Sequence, residues 1–260
     1  MNLGIIGLPQ VGKRTLFGLL TGLDPAKAPT RSGITYGIAY VRDPRIDTLS
    51  AMYNPKRTRY AEFEIALPPD VTPNSARSAE WLAPLRNVDA NLHVVRAFDS
   101  PSVFHVEGSV DPARDLDLVE MELLLADIDL VEKRLSRMDK DRTGNAALRE
   151  REKTILERCR LHLESEQSLR TLALNADELK LIRSLQFLTL KPLVIVFNVS
   201  EGNDGSIAEL EPLAVKMQDQ GATVVYLSAD IEAELAELEA DEQELFMADL
   251  GIAEPAAHRL

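Results

Sequence analysis

A glycine-bounded loop near the start of the chain carries the clearest chemical signal. Gly7 and Gly12 enclose four residues and Lys13 follows, which matches the pattern G-x-x-x-x-G-K. Glycines at these positions let successive backbone N–H groups point inward at phosphate oxygens, and the lysine adds a mobile positive charge. An apolar run precedes the loop and an apolar-periodic stretch follows it, so the sequence predicts a strand, a phosphate-binding loop and a helix. The residues assigned to phosphate contact are Gln10, Val11, Gly12, Lys13, Arg14 and Thr15.

The residue after the lysine departs from the full pattern. A Ser or Thr at that position coordinates Mg²⁺, whereas this chain has Arg14 there and Thr15 next. A guanidinium carries a permanent charge and has no lone pair to offer a cation. Two interpretations stay open: Arg14 replaces Mg²⁺ as a fixed counter-ion to the phosphates, or it points to solvent beside an empty site.

The loop requires a sheet behind it, and four short apolar runs are candidates for buried strands. Strands that alternate with helices predict a doubly wound, mainly parallel α/β sheet. The alternation is broken once, because apolar residues recur at near-heptad spacing from Leu118 to Met138 and a second helical pattern follows the polar residues 139–145. We interpret this region as an antiparallel, coiled-coil-like helical hairpin; two helices packed on the sheet are the alternative. The predicted strands are residues 2–6, 92–98, 193–199 and 223–229.

Composition excludes several classes of protein. With 260 residues, 45% hydrophobic and 27% charged, the chain is typical of a soluble globular protein. The net charge of −13 argues against broad electrostatic binding to nucleic acid or to an anionic membrane. The single cysteine, Cys159, excludes an internal disulfide. No apolar run reaches the ~20 residues of a membrane span and no signal peptide is evident, so we expect a cytoplasmic protein.

Several longer stretches resemble one family, the Obg-like ATPases or YchF family. The resemblance covers nearly the whole chain and implies a discontinuous P-loop nucleotide-binding domain, residues 1–114 and 188–260, with a hairpin inserted at 115–187. Family members continue into a C-terminal TGS-type domain that this sequence does not include, either because the sequence is trimmed or because the protein lacks that domain. That absence and the acidic charge argue against a ribosome or RNA partner, whereas the hairpin could contact a protein. The stretches that carry the resemblance are GLPQVGKRTLF, LHVVRAFDSPSVFHVEGSVDPARDLDLVEMELLLADIDLVEKRL, LQFLTLKPLVIVFNVSEG and ADIEAELAEL.

The resemblance also implies which residues contact the base. Family members carry N-x-x-E where guanine-specific relatives carry N-K-x-D, and they prefer ATP. In this chain Asn198, Val199 and Glu201 fit that segment, and Ser228 with Ala229 resembles the S-A element that closes over the base. We therefore expect ATP or ADP to be preferred over GTP.

Other family motifs are altered here. The family's D-x-x-G segment follows Glu-Phe, but after Glu62-Phe63 the aspartate aligns with Ile65 and the glycine with Pro68, which has no N–H. We expect residues 65–79 to form a proline-rich loop. Glu64 is considered as a displaced carboxylate, although a solvent-facing residue is the favoured interpretation. His105 matches a family histidine discussed as catalytic; we favour a structural role for it and assign no metal ligand.

These observations lead to one expectation and two alternatives. The expectation is a degenerate Obg-like ATPase that binds ATP or ADP and hydrolyses it slowly or not at all, since both metal supports are altered. The first alternative is a nucleotide-free scaffold that acts through the hairpin. The second is an active ATPase with a rebuilt metal site.

Overall fold

The computed structural model describes residues 1–41, 43–70, 82–140, 145–200 and 204–249. Within these residues, seven strands form a single sheet. The strands are β1 (Asn2–Ile6), β2 (Thr30–Arg31), β3 (Ile34–Val41), β4 (Ala61–Leu67), β5 (Ala90–Ala97), β6 (Leu193–Val199) and β7 (Ala222–Leu227). Their order across the sheet is β2-β3-β4-β1-β5-β6-β7.

Five of the strands are parallel. β4, β1, β5, β6 and β7 run in one direction, whereas β2 and β3 add an antiparallel edge. Helices cover both faces, which explains why β5 and β6 are buried along their length and do not alternate between buried and exposed residues. The prediction of a mainly parallel α/β fold is confirmed, and the predicted strands shift by at most two residues at their ends.

The sequence-based interpretation of residues 65–79 as a loop is wrong at its start. Ile65, Ala66 and Leu67 belong to β4 and are buried. They lie between β1 and β3 in the sheet, with Ile65 opposite Leu3 on one side and Gly37 on the other. The following prolines end the strand, because proline donates no hydrogen bond to a neighbouring strand.

The helices fill the connections between the strands. Helix α1 opens directly after the phosphate loop, and α8 begins one residue after β7 ends. Among the described residues, no helix combines the length and the apolarity that a bilayer crossing requires. The helices are α1 (Lys13–Thr21), α2 (Pro44–Tyr53), α3 (Leu82–Leu85), α4 (Pro112–Lys140), α5 (Ala146–Glu164), α6 (Ala176–Ile182), α7 (Asp204–Asp219), α8 (Ala229–Glu237) and α9 (Ala240–Asp249).

Helices α4 and α5 are the two long helices between β5 and β6. Helix α4 is 29 residues long and starts at Pro112, six residues before the predicted apolar pattern. Ion pairs join Arg134 to Glu152 at 2.7 Å and Lys153 to Asp139 at 3.0 Å. The two helices share a core with the segment that follows them, which contributes Leu169, Ile182 and Phe187. The fully buried members of this core also include Leu124, Val131, Leu156, Cys159 and Leu163. The division into a nucleotide domain and an inserted coiled-coil domain stays a prediction.

Asp127 connects this pair of helices to the sheet. Its buried carboxylate accepts hydrogen bonds from the backbone N–H of Leu188 at 3.1 Å and of Thr189 at 2.8 Å. The hydroxyl of Thr189 donates a further bond at 2.9 Å. Burial raises the pKa of Asp127, although these donors oppose the shift. The contact fixes where α4 lies relative to the segment that enters β6.

Candidate nucleotide site

The phosphate loop joins β1 to α1 at the carboxyl end of the parallel strands. Gly7 and Gly12 have φ angles of 145° and 104°, which favour glycine. A Cβ on Gly7 would lie 2.4 Å from the carbonyl oxygen of Val94, and one on Gly12 would lie 2.4 Å from Nδ2 of Asn198. Both positions therefore require glycine for conformation and for space.

Lys13 is buried beneath this loop, with 4% of its surface exposed. Its Nζ donates to the carbonyl oxygen of Gly7 at 2.8 Å and also to that of Leu8. Asp70 Oδ1 lies 2.8 Å from the same Nζ. Burial lowers the pKa of Lys13, and the carboxylate of Asp70 opposes this shift. The lysine is thus held by its own loop and by one external anion.

Asp70 is a site residue that sequence reasoning missed. It lies three residues after β4, the strand next to β1 in the sheet. Motif alignment raised Glu64 as a displaced carboxylate, with a solvent-facing residue as the favoured interpretation. Glu64 is opposite Asn2 at the start of β1, whereas the loop follows the other end of this strand. The sequence shows an aspartate after two prolines, but it does not show that the strand before them is the neighbour of β1.

Arg14 and Thr15 follow Lys13 in the first turn of helix α1 and line the cleft above the loop. Arg14 is exposed, and within the described part of the chain it has no hydrogen bond or ion pair. Thr15 is half-buried. A cation therefore stands where the magnesium-binding hydroxyl of the full motif would be. Across the described residues, no three His, Cys, Asp or Glu side chains are grouped so that they could hold a metal ion.

Asn198 connects three segments around the loop. Its Nδ2 donates to the carbonyl oxygen of Val11 at 3.0 Å, and its Oδ1 accepts from the backbone N–H of Ala229 at 2.9 Å. The side chain is buried, so each of these bonds replaces contact with water. Asn198 thereby fixes the end of β6 and the start of α8 against the phosphate loop. Val11 and Ala229 take part through their backbones and do not line the cleft.

The cleft beside the loop has a volume of about 710 Å³, enough for a small ligand. It lies at the carboxyl ends of the parallel strands, which is where open α/β sheets bind ligands. Of the residues predicted from sequence, Gln10, Gly12, Lys13, Arg14, Thr15, Asn198, Val199 and Ser228 line it. Glu201 lies outside the described residues. The carboxylates around the cleft belong to Asp70, Asp99, Asp230 and Glu234.

Arg96 shapes one wall of the cleft and was also missed. This buried guanidinium donates to the carbonyl oxygens of Phe98 and Val103, each at 3.1 Å, and further bonds reach Ser100 and Phe104. Its charge also lies 4.5 Å from the centre of the Phe98 ring. These contacts hold the segment after β5, several residues of which line the cleft. A charged residue inside an apolar strand was the sequence signal.

His105 does not line the cleft. Its Nδ1 accepts from the backbone N–H of Glu107 at 3.1 Å, so in the neutral ring Nε2 carries the proton and donates to Asp115 at 2.8 Å. Asp115 also pairs with Arg114 at 2.9 Å. Both ring nitrogens are therefore engaged in fixing the segment before α4, which agrees with the structural role favoured from sequence.

The parallel sheet, the glycine loop with its lysine and the cleft at the carboxyl ends of the strands define an α/β protein of the P-loop nucleotide-binding class. Comparison with models of protein families gave no match. Comparison with individual proteins did. The chain is 38% identical over 265 residues to the ribosome-binding ATPase YchF of Haemophilus ducreyi, covering 99% of this chain and 73% of that protein. It is 36% identical to the Bacillus subtilis protein of the same name, covering 100% of this chain and 74% of the other.

A solved structure agrees with these relatives. The YchF GTPase of Schizosaccharomyces pombe superimposes with a TM-score of 0.77 at 29% identity, covering 96% of this chain and 71% of that one. The chain therefore belongs to the YchF family, as the motifs indicated. The relatives are named as ATPases or as a GTPase.

Proposed function

We propose that this chain binds an adenine nucleotide, ATP or ADP, in the cleft beside the phosphate loop and hydrolyses it slowly or not at all. One observation carries the proposal: the glycine loop and Lys13 line a cleft at the carboxyl ends of the parallel strands, where open α/β sheets bind ligands. A phosphate oxygen would take the place of the Asp70 carboxylate, which lies 2.8 Å from Lys13 Nζ. The backbone angles of Gly7 and Gly12 and the two hydrogen bonds of Asn198 hold the loop in a conformation suited to phosphate.

The preference for adenine rests on the sequence pattern from Asn198 to Glu201. The two hydrogen bonds of the Asn198 side chain explain why an asparagine is needed there, since they join the segment on the base side to the phosphate loop. Slow or absent hydrolysis follows from Arg14, which replaces a metal-binding hydroxyl with a cation. Phosphoryl transfer depends on positioning and charge neutralisation by the metal and its supports.

Calorimetric titration tests the proposal. ATP, ADP and GTP are each titrated with and without Mg²⁺ into the wild type, the Lys13→Ala variant and a control, Lys27→Ala, which alters an exposed lysine. We expect adenine nucleotides to bind the wild type and the control and to lose most of their affinity for Lys13→Ala. If no nucleotide binds the wild type, the alternative of a nucleotide-free scaffold is favoured. The Lys13–Asp70 pair and the acidic cleft support that alternative, because both oppose an incoming anion.

A second variant, Arg14→Ser, tests the altered metal support. Restored Mg²⁺ dependence of binding would assign the defect to Arg14. Steady-state ATP turnover by the wild type that matches an intact relative, and that disappears in Lys13→Ala, would instead support an active ATPase with a rebuilt metal site.

The second part of the proposal is that this chain binds the ribosome. The relatives are named ribosome-binding ATPases, which argues against our expectation from composition that the ribosome is not a partner. Co-sedimentation with ribosomes in a sucrose gradient, with ADP, with ATP and without nucleotide, tests this part separately from the cleft.

A further inference from the structure

The segment that connects α2 to β4 carries three exposed cations within four residues. Lys56, Arg57 and Arg59, here called the basic segment, are all exposed. The chain as a whole has 29 basic and 42 acidic residues, so such a cluster contrasts with the rest of the surface. A local positive site of this kind can attract a polyanion that the remaining surface repels.

Hydrogen bonds on either side hold the basic segment in place. Ser50 on α2 and Thr58 share a hydrogen bond of 2.6 Å between their hydroxyl oxygens. The hydroxyl of Tyr60 donates to Asp47, also on α2. Asn54 ends α2 in the left-handed conformation, with φ of 42°. The cations are thus presented on a fixed turn, which lowers the entropy cost of binding.

The basic segment has no carboxylate partner in the described part of the chain. Some other exposed cations there do, including Lys27, Lys133 and Lys180, whereas others, such as Arg137, Arg183 and Lys216, do not. The nearest acidic residues in sequence, Glu62 and Glu64, form no ion pair with the segment there; farther away, Asp43 pairs with Arg45 and Asp47 accepts from Tyr60. The positive charge of the segment is therefore not neutralised within the described structure.

An exposed aromatic ring lies beside these cations. Tyr53, the last residue of α2, is 75% exposed and precedes the basic segment by three residues. Proteins that bind single strands combine phosphate-contacting cations with aromatic rings on which bases stack. The location also matters, because the segment precedes β4 whereas the phosphate loop is near the other end of that strand. A seven-residue strand spans roughly 20 Å, so a ligand here leaves the cleft free.

We propose that the basic segment binds single-stranded RNA, with Lys56, Arg57 and Arg59 on the phosphates and Tyr53 stacked on a base. The choice of RNA rests on the ribosomal part of the proposed function; the nucleotide part is not needed. A strand contacts the basic segment alone, whereas a flat anionic bilayer would also meet the acidic surface around it. The net charge of −13 therefore disfavours the bilayer.

The test measures binding of a fluorescein-labelled 20-nucleotide single-stranded RNA by anisotropy between 25 and 200 mM salt. The wild type is compared with the triple variant Lys56→Gln, Arg57→Gln, Arg59→Gln. The matched control is Lys27→Gln, Lys133→Gln, Lys180→Gln, which removes the same charge from exposed, ion-paired lysines. Tyr53→Ala tests the stacking ring. Circular dichroism melting checks that all variants fold.

We expect the basic-segment variant to bind at least tenfold more weakly at low salt, and the slope of log K against log salt to fall in magnitude by about 2. The control should bind as the wild type does, and Tyr53→Ala should lose affinity with no change in slope. Equal losses in both triple variants would overturn the proposal, as would preferential binding to phosphatidylserine vesicles. If ribosomes do not co-sediment with the chain but RNA binds through the basic segment, only the proposal of ribosome binding fails. If the basic-segment variant binds ribosomes as well as the wild type does, the RNA-binding role of the segment is contradicted and ribosome binding is not.

Discussion

The contact between Lys13 and Asp70 makes a direct prediction about nucleotide affinity. Replacing Asp70 with Asn removes a negative charge 2.8 Å from Lys13 Nζ while keeping the size of the side chain. In the wild type, an incoming phosphate must displace this carboxylate before it reaches the lysine. We therefore expect Asp70→Asn to bind nucleotide more tightly in the absence of Mg²⁺, and ATP to gain more than ADP because its third phosphate adds charge near the lysine.

The size of the effect follows from the exposure of the two partners. Lys13 is 4% exposed at its side chain, but Asp70 is 49% exposed, so water screens the pair strongly. Ion pairs of this kind contribute up to about 1 kcal/mol. Relief of that competition corresponds to roughly fivefold tighter binding of ATP.

Isothermal titration of ATP into Asp70→Asn measures the effect, with Asp99→Asn as the matched control. Asp99 lines the same cleft and loses the same charge, but it has no contact with Lys13. An equal gain in both variants would show that the general charge of the cleft matters and the pair does not; no gain in Asp70→Asn would refute the competition itself. Repeating the titration with Mg²⁺ addresses the rebuilt metal site. Weaker binding of Mg·ATP to Asp70→Asn than to the wild type would show that the carboxylate supports the metal.

Three further predictions concern buried side chains. Asn198→Ala leaves the Val11 carbonyl and the Ala229 N–H without their partner, so urea unfolding should show that the free energy of unfolding falls by about 2–3 kcal/mol. A fall of less than about 0.5 kcal/mol would contradict a stabilising role of these two hydrogen bonds. Burial lowers the pKa of His93 to about 3, so the unfolded state takes up a proton below pH 6.5 that the folded state does not. Stability should therefore fall by about 2 kcal/mol from pH 6.5 to pH 5 through this group, and a His93→Asn variant that shows the same pH dependence rules it out. Burial raises the pKa of Cys159 to about 11, so Ellman's reagent should label it only after unfolding; rapid labelling of the native protein contradicts its burial.

Local patterns in the sequence were sufficient to predict the centre of the fold. The phosphate loop needs glycine at particular backbone angles, and such a requirement is visible in the residues themselves. Strands β1, β5 and β6 are largely buried on both faces, so each consists mainly of apolar residues. Asn198 is the second-last residue of β6, and its side chain contacts the phosphate loop.

The antiparallel edge of the sheet could not be predicted in the same way. Helix α2 has no buried residue, so it has no apolar period to detect. Two prolines directly follow strand β4, and the proline-rich composition of residues 65–79 indicated a loop. Asp70 was missed for a related reason, since its role depends on which strand lies next to β1, and that neighbour is set by tertiary packing.

The residues that hold the shape of the phosphate site differ from those that would hold a metal. Gly7, Gly12 and Asn198 fix the loop through backbone conformation and hydrogen bonds, and all three match the family pattern. The departures are at Arg14, at Ile65 in β4 and in the segment after β4, where Asp70 contacts the lysine. The shape of the loop determines whether phosphate binds, whereas metal coordination stabilises the transition state of phosphoryl transfer. A chain that keeps the first set and alters the second is therefore expected to retain phosphate binding while losing turnover, and the variants Arg14→Ser and Asp70→Asn separate these two properties.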